Sequence, residues 1–495
     1  MLTFSLNTTS SIPLYEQIYQ EIKGRIRDGS LPSAFKLPSS RALSCNLGVS
    51  RNTVDTAYYQ LQAEGYVRSA PRSGFYVCDI EQTDSPLPLP SKNAPHSNAP
   101  LAVQQKNSQQ ATTPPDFQYD FSPYAIDISH FPFSVWQRLS RQVLSDEREL
   151  FLLGDNQGDA ALRAAICDYV CLSREVSCLP EQIIVGAGVD YLLQMLSLTL
   201  RALSLTKITM ENPGYTQAAH IFQNNALEVS PGTLDEQGLT ISSVSARSHL
   251  VYVTPSHQFP VGTVMPFGRR RELLRWAGSA PDRYIIEDDH DSEFRYRGKP
   301  IPSLQGMDGG QHVIYIGTFS KAIAPAIRVG YLILPENLLK IYQKVCGHYS
   351  CTVSRIDQAI LTHFLSDGYF EKHINRMRKI YRSKHDLAIE CLQPLIQKYH
   401  LRLHGEHAGL HLTVSLPPNG IRENTLIQNA KKAGIRLYGI HSHYLFGTPM
   451  IDCHISPSSH SLHKSDGILL GYSNLTEEDI KKGICLMADA GIFAK

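Results

Sequence analysis

The N-terminal part of the chain carries two apolar rhythms in succession. Leu14, Ile18, Ile22 and Ile26 recur at spacing four after Pro13. That spacing predicts a helix whose first turn tolerates the proline, and Gly29 can end it. In LPSSRALSCNLGVSRNTVDTAYYQLQAEGYV, Ser39 or Ser40 can cap a short helix that stops at Gly48. Ser50 can cap the next one, with Val54, Ala57, Tyr58 and Leu61 as its buried stripe. The residues that follow, GYVRSAPRSGFYV, alternate around a turn at Pro71–Gly74 and predict a two-stranded wing. A helix, a helix-turn-helix and a wing, in that order, form a DNA-binding pattern.

From about residue 117 the rhythm changes. Short apolar runs alternate with helical stretches, which predicts an α/β body around a mostly parallel sheet. Four runs end in polar chemistry: KITMENPGY at Glu211–Tyr215, LVYVTPSHQFPVG at Thr254–Gln258, YIIEDDHDSEF at Asp288–Asp291, and VIYIGTFSKAIAPAIRVGY at Thr318–Lys321. Ligands bind beyond the carboxyl ends of strands in open parallel sheets, so these four ends point to one crevice. EQIIVGAGVDYLLQMLSLTL reads as a strand, Gly186–Ala187–Gly188, then an amphipathic helix whose free amides favour an anion. TEEDIKKGICLMADAGI reads as a closing helix with Thr476 and Asp479 in a capping box, a structural feature.

Between these patterns, residues 81–116 hold seven prolines and no periodic apolar positions. That composition is a linker, spanning about 30–35 Å as a coil. The chain of 495 residues thus divides into 1–80, 81–116 and 117–495.

Composition narrows the classes. An apolar fraction of 42% with 19% charged residues excludes global disorder. With 47 Lys+Arg against 46 Asp+Glu the net charge is +1, so any DNA affinity must come from local charge. Residues 1–80 carry eight basic and six acidic side chains, a weakly basic head. No run approaches the roughly 18 apolar residues that span a bilayer. The first residues lack the basic and apolar regions of a signal peptide, and a cytoplasmic protein without membrane contact is expected. The ten cysteines form no CxxC pair. Cys167, Cys171 and Cys178 are spaced as a helical core face, and no metal site is expected there. His404, His407, His411, His441, His443, His454, His460 and His463 lack an accompanying ligand pattern and read as surface or supporting residues.

The candidate chemistry sits in two places. Arg41, Arg51, Arg68 and Arg72 recur at the helix starts and wing, where phosphates would lie. Arg51, Asn52 and Thr53 open the second helix of the helix-turn-helix, the end that meets base edges. In the body, Lys321 directly follows a strand, placed to lose its proton and form a Schiff base. Arg328 can grip a phosphate with the Thr318 and Ser320 hydroxyls, and Gly188 opens the anion-favouring helix start. Asp288 can hold a protonated pyridine nitrogen and Tyr215 can stack on a ring. Each feature alone is weak, but their combination in this order reads as a pyridoxal phosphate site.

The head resembles the GntR family of winged-helix regulators through LPSSR, GVSRNTV, AYYQLQAEGYV and RSGFYV. The resemblance implies Arg41, Arg51 and Thr53 as DNA contacts. The body resembles fold type I aminotransferases, and the whole chain resembles the MocR/GabR regulators. FPFSVWQRL, GDNQGDAALRAAICDYV, ENPGYTQ, TPSHQFPVG, EDDHDSEF, GTFSKAIAPAIRVGY, GLHLTVSL and ILLGYSNLTEEDI carry that likeness. It implies pyridoxal 5'-phosphate as cofactor, with Lys321 as the aldimine lysine, Asp288 on the ring nitrogen, Arg328 on the phosphate and Tyr215 at the ring. It also implies a homodimer.

Four positions depart from the pattern. Asp55 stands on the recognition helix where some relatives carry arginine, so it must face away from phosphates or accept from a cytosine amino group. His290 stands where the family's EDDYD has tyrosine, beside the cofactor's phenolic oxygen. Imidazole also donates, with a different reach and proton affinity. Gln217 and Lys464 stand where relatives often have carboxylate-reading arginines. The expected protein is therefore a transcription factor that binds operator DNA and senses pyridoxal phosphate or an amine. The rivals are a working aminotransferase with a DNA-binding appendage and a DNA-binding scaffold that has lost the cofactor.

Overall fold

The computed structural model describes residues 6, 12–70, 74–78, 117–296, 301–445 and 466–494. The proline-rich stretch 81–116, Arg72 with most of the wing turn, Lys464, His454, His460 and His463 lie outside the described residues.

At the N-terminal end the caps decide the elements. Helix Leu14–Arg27 begins directly after Pro13, which takes the cap position, one residue outside the turn expected to hold it. Of the two candidate caps for the next helix it is Ser39 whose side chain accepts from the Ala42 amide, at 3.1 Å. Ser40–Leu47 then ends at Gly48, left-handed at φ 65°. Ser50 accepts from the Thr53 amide at 3.2 Å and starts Arg51–Ala63. The antiparallel pair Val67–Ala70 and Gly74–Val77 follows as a two-stranded wing. Ile18, Ile22, Val54, Tyr58 and Leu61 are fully buried between these helices, as the spacing-four pattern requires.

The body is built on an eight-stranded sheet. Its strands lie in the order Ile183–Gly186, Gly330–Ile333, Val313–Thr318, Tyr284–Asp289, Leu250–Val253, Lys207–Asn212, Glu228–Asp235 and Gly238–Leu239. The five from Val313–Thr318 to Glu228–Asp235 run parallel, and the remaining pairings are antiparallel. Strands such as YIIEDD and VIYIGT are buried along their whole length because helices cover both faces, so apolar runs replace alternation. One covering layer packs around Leu192, Leu196, Ile208 and Phe222, the other around Ile166, Val170, Leu361 and Phe364.

The 31-residue helix Tyr369–Tyr399 leads to a smaller antiparallel sheet in the order Arg402–His404, His411–Ser415, Gly467–Gly471 and Tyr438–Gly439. The capping box of Thr476 and Asp479 starts the expected closing helix, Glu477–Asp489, which packs on this sheet's side of the molecule.

Head and body touch directly. The Phe267 amide donates to the Glu64 carbonyl at 2.7 Å, and the Phe267 ring stacks on Tyr66 with centroids 4.7 Å apart. No helix among the described residues is long and apolar enough to cross a membrane.

Candidate functional site

The parallel strands deliver their carboxyl ends to one cavity of about 180 Å³. All eight body residues singled out from the sequence line it: Gly188, Tyr215, Asp288, His290, Thr318, Ser320, Lys321 and Arg328. The sequence distances between them collapse because each lies at or beyond the end of a strand of the same sheet.

Lys321 follows the Val313–Thr318 strand. Its amine donates to the Pro123 carbonyl at 2.7 Å and sits 5.9 Å from the centre of the Tyr124 ring. Burial pulls its pKa down to about 8, against a smaller opposing pull from Asp291. A lysine near neutrality is a nucleophile at ordinary pH.

The acidic run Glu287–Asp291 is divided among separate partners. Glu287 accepts from the Leu304 and Gln305 amides at 2.9 Å each. Asp289 takes the Arg174 guanidinium. Asp291 takes His257, with Nδ1 to Oδ2 at 2.9 Å. Asp288 accepts on one oxygen from the Tyr252 hydroxyl, while its other oxygen, Oδ1, is buried with no hydrogen-bond partner among the described residues. Burial raises its pKa, with His290 and Tyr252 opposing. A buried acceptor left unsatisfied is costly, and this one lines the cavity.

Arg328, which also lines the cavity, adopts a left-handed backbone at φ 52°. Its Nη2 lies 3.3 Å from Asp190 Oδ2, and its side chain stays 57% exposed, so it remains free to meet an anion. Gly188, at φ 87°, opens helix Val189–Ala202. That φ strains any L side chain, which explains the need for glycine, and a Cβ there would also stand 3.2 Å from the Arg328 guanidinium. Thr318 Oγ1 donates to Ser320 Oγ at 3.0 Å on the same rim.

His290 projects between the aromatic and acidic walls. Its Nε2 lies 3.4 Å from Asp291 Oδ1 in a geometry that makes no hydrogen bond, and that nitrogen is buried with no hydrogen-bond partner among the described residues. Tyr124, Phe259 and His411 also line the cavity and were not singled out as cavity residues. Tyr124 lies far upstream of the strand ends, and nothing in its neighbourhood marks it. Phe259 follows directly on the Thr254–Gln258 strand end and could have been found with it, whereas His411 arrives on the smaller sheet. Tyr252 could have been found as the one polar-tipped residue in LVYV.

On the head, Arg41, Arg51 and Asn52 are exposed, and Thr53 is half-buried with its hydroxyl 2.8 Å from the capping Ser50 oxygen. Asp55 pairs with Arg51, Oδ2 to Nε at 3.4 Å, on the same exposed face. Cys167, midway along helix Ala160–Arg174, lies 4.0 Å from Cys171 on the same helix and 3.8 Å from Cys178 beyond it, sulfur to sulfur.

A capped helix-turn-helix with a wing, joined to an aminotransferase-like body with a lysine at its strand ends, defines a class: a DNA-binding head on an enzyme fold. Comparison with known proteins agrees. Residues 14–77 match the bacterial regulatory proteins of the gntR family, and residues 124–440 match aminotransferase class I and II. An uncharacterized HTH-type transcriptional regulator of Bacillus subtilis, YdeL, is 39% identical over 98% of both chains. The probable rhizopine catabolism regulatory protein MocR of Rhizobium meliloti is 30% identical over 97% of this chain and 94% of its own. The multiple substrate aminotransferase of Thermococcus profundus shares the body's fold at a TM-score of 0.64 and 23% identity, over 76% of this chain and 92% of its own. The chain belongs to the MocR-type HTH transcriptional regulators, with a GntR head and an aminotransferase class I/II body. It is a regulator rather than an enzyme of the aminotransferase class.

Proposed function

We propose that the Lys321 cavity holds pyridoxal 5'-phosphate, and that the protein reports the cofactor or a primary amine to double-stranded operator DNA. One observation carries the reading: a buried, unpartnered Asp288 oxygen shares a cavity with a lysine pushed towards neutrality. An unsatisfied carboxylate oxygen suits a protonated ring nitrogen, and a neutral amine suits an aldehyde. The donor set fits the cofactor at its other end too, through Arg328, Thr318, Ser320 and the helix start at Gly188.

When bound, pyridoxal phosphate supplies an aldehyde that condenses reversibly with primary amines and a ring that draws electrons. Lys321 provides the amine. Asp288 holds the proton on the ring nitrogen. Tyr215 presents its ring, and His290 offers a donor where the phenolic oxygen lies. An effector amine that took the place of Lys321 would leave its side-chain amine free in the cavity to accept a proton, and the altered charge would bias how the body holds the head.

In this reading residues 1–80 are the DNA-binding head, 117–495 the effector body and 81–116 their connection. Arg41, Arg51, Asn52, Thr53 and Arg72 contact DNA. Two copies act together: Phe151, Leu152 and Leu153 are exposed apolar side chains, 69%, 68% and 93% accessible, which a second copy would cover.

The deciding experiment is the visible spectrum of the purified protein with added pyridoxal phosphate. A band that Lys321→Ala abolishes is expected. A flat spectrum that the cofactor cannot restore would overturn the reading. Sustained turnover of an amino donor with a keto acid would replace the sensor with an enzyme.

A further inference from the structure

Arg295 lies six residues beyond the Tyr284–Asp289 strand, and its backbone bridges Ala408. Its side chain belongs to a residue only 5% exposed, and neither Nε nor Nη2 has a hydrogen-bond acceptor. A guanidinium taken out of water without an acceptor loses hydration and gains nothing in return, so buried arginines are found paired. This one has no hydrogen-bond or ion-pair partner among the described residues, yet it borders open space.

That space is a cleft of about 950 Å³ between head and body. The head contributes Arg68 from the wing strand Val67–Ala70, with its guanidinium 5.5 Å from the Tyr76 ring centre. Five arginines line the cleft against three glutamates. Arg269 is already engaged, by Asp235 at 2.7 Å and Glu272 at 3.1 Å. The contacts that close the cleft cross from head to body: Tyr66 on Phe267, Tyr59 on His407, and Glu64 with the Phe267 amide.

We propose that this cleft is a second small-molecule site, taking a phosphate-bearing anion with Arg295 as its buried anchor and Arg68 as the head's share. Arg295 lines the cleft, and its planar fork would suit two oxygens of one phosphate once the side chain turns Nε and Nη2, now shut from solvent, towards it. The cleft is far larger than a phosphate ion, so the ligand is a phosphate monoester with an organic part. An anion held by both arginines joins the wing to the body, and its binding favours the docked head. The site is independent of whatever occupies the Lys321 cavity.

The test uses the full chain carrying Arg328→Leu, which removes the phosphate-gripping arginine of the other cavity. Inorganic phosphate and glycerol phosphate are titrated by calorimetry at fixed ionic strength. Both are expected to bind at one site per chain, the ester more tightly. Adding Arg295→Gln should weaken binding at least tenfold. Adding Arg68→Gln, at an exposed position that leaves the fold intact, should weaken it several-fold and carries the test if Arg295→Gln fails to fold. Binding unaltered by either variant, or no binding in the Arg328→Leu protein, would overturn the proposal. So would an operator affinity that falls equally in Arg295→Gln with no anion present, because the cleft would then be holding the DNA backbone.

Discussion

Arg174 Nε lies 2.7 Å from Asp289 Oδ2, and both side chains are almost wholly buried, 3% and 1% accessible. Burial alone would push the Asp289 carboxyl up, but Arg174 and the Tyr315 hydroxyl reverse this and hold it below the ordinary carboxylate range. The pair explains how two adjacent aspartates differ. Each keeps a buried Oδ1 without a hydrogen-bond partner among the described residues, but Asp289 gives its other oxygen to Arg174 of the helix Ala160–Arg174, whereas Asp288 lines the cavity. Removing one partner strands a buried charge, so Arg174→Gln is expected to destabilise the body by about 3–5 kcal/mol. Urea unfolding measures it, and an unchanged midpoint would show that water reaches Asp289.

Lys321 gives a pH signature. Its pKa falls from 10.5 to about 8 on burial, so the unfolded chain binds more protons than the folded one between those values. Stability of the cofactor-free protein therefore rises with pH across that window and does so less in Lys321→Met. At neutral pH the neutral amine should be roughly two orders of magnitude more abundant than on a free lysine. Reductive trapping with a simple aldehyde, followed by mass spectrometry, should label Lys321 ahead of the exposed lysines. Uniform labelling would refute the shift.

Much of this was legible in the sequence because the signals are local. Ser50, Gly48 and Thr476 act through hydrogen bonds or dihedral angles a few residues away, and the structure has each of them at the element end expected. The strand ends were legible for a topological reason: parallel strands expose their carboxyl ends on one side, so Asp288 and Lys321 converge without any knowledge of packing. What the sequence hid depends on long-range contact. Tyr124 reaches Lys321 from almost two hundred residues upstream, and His411 arrives on the smaller sheet. The unpartnered Arg295 was invisible for the same reason. A buried cation looks in sequence like any surface arginine until the head is seen beside it.

Arg51 and Asp55 lie one turn apart on the exposed face of the recognition helix, paired at 3.4 Å with the arginine 70% accessible. Exposed pairs of this kind contribute little, so the arginine is readily drawn away by a phosphate. Arg51→Ala should weaken operator binding about tenfold and lower the salt dependence by about one counterion. Asp55→Ala should strengthen binding several-fold, since it releases Arg51 and removes a repelling charge. Fluorescence anisotropy across a salt series checks both. Weaker binding by Asp55→Ala would mean that the carboxylate reads a base.

His290 supplies the last prediction, which rests on the cofactor reading. Its Nε2 is buried, unpartnered and 3.4 Å from Asp291, a carboxylate that burial pushes up and that His290 and His257 together hold well below its ordinary range. Imidazole and phenol differ in donor geometry and reach, so the two residues meet the same ligand oxygen differently. His290→Tyr restores the residue of the EDDYD pattern and removes one of the two histidines that neutralise Asp291. The visible band of the loaded protein should then change its titration midpoint by about one pH unit, while the affinity for operator DNA without effector stays the same. A spectral titration of both proteins between pH 6 and 9 decides the matter. Superimposable curves would mean that His290 does not reach the chromophore, and its unpartnered nitrogen would then belong to the Asp291 and His257 cluster alone.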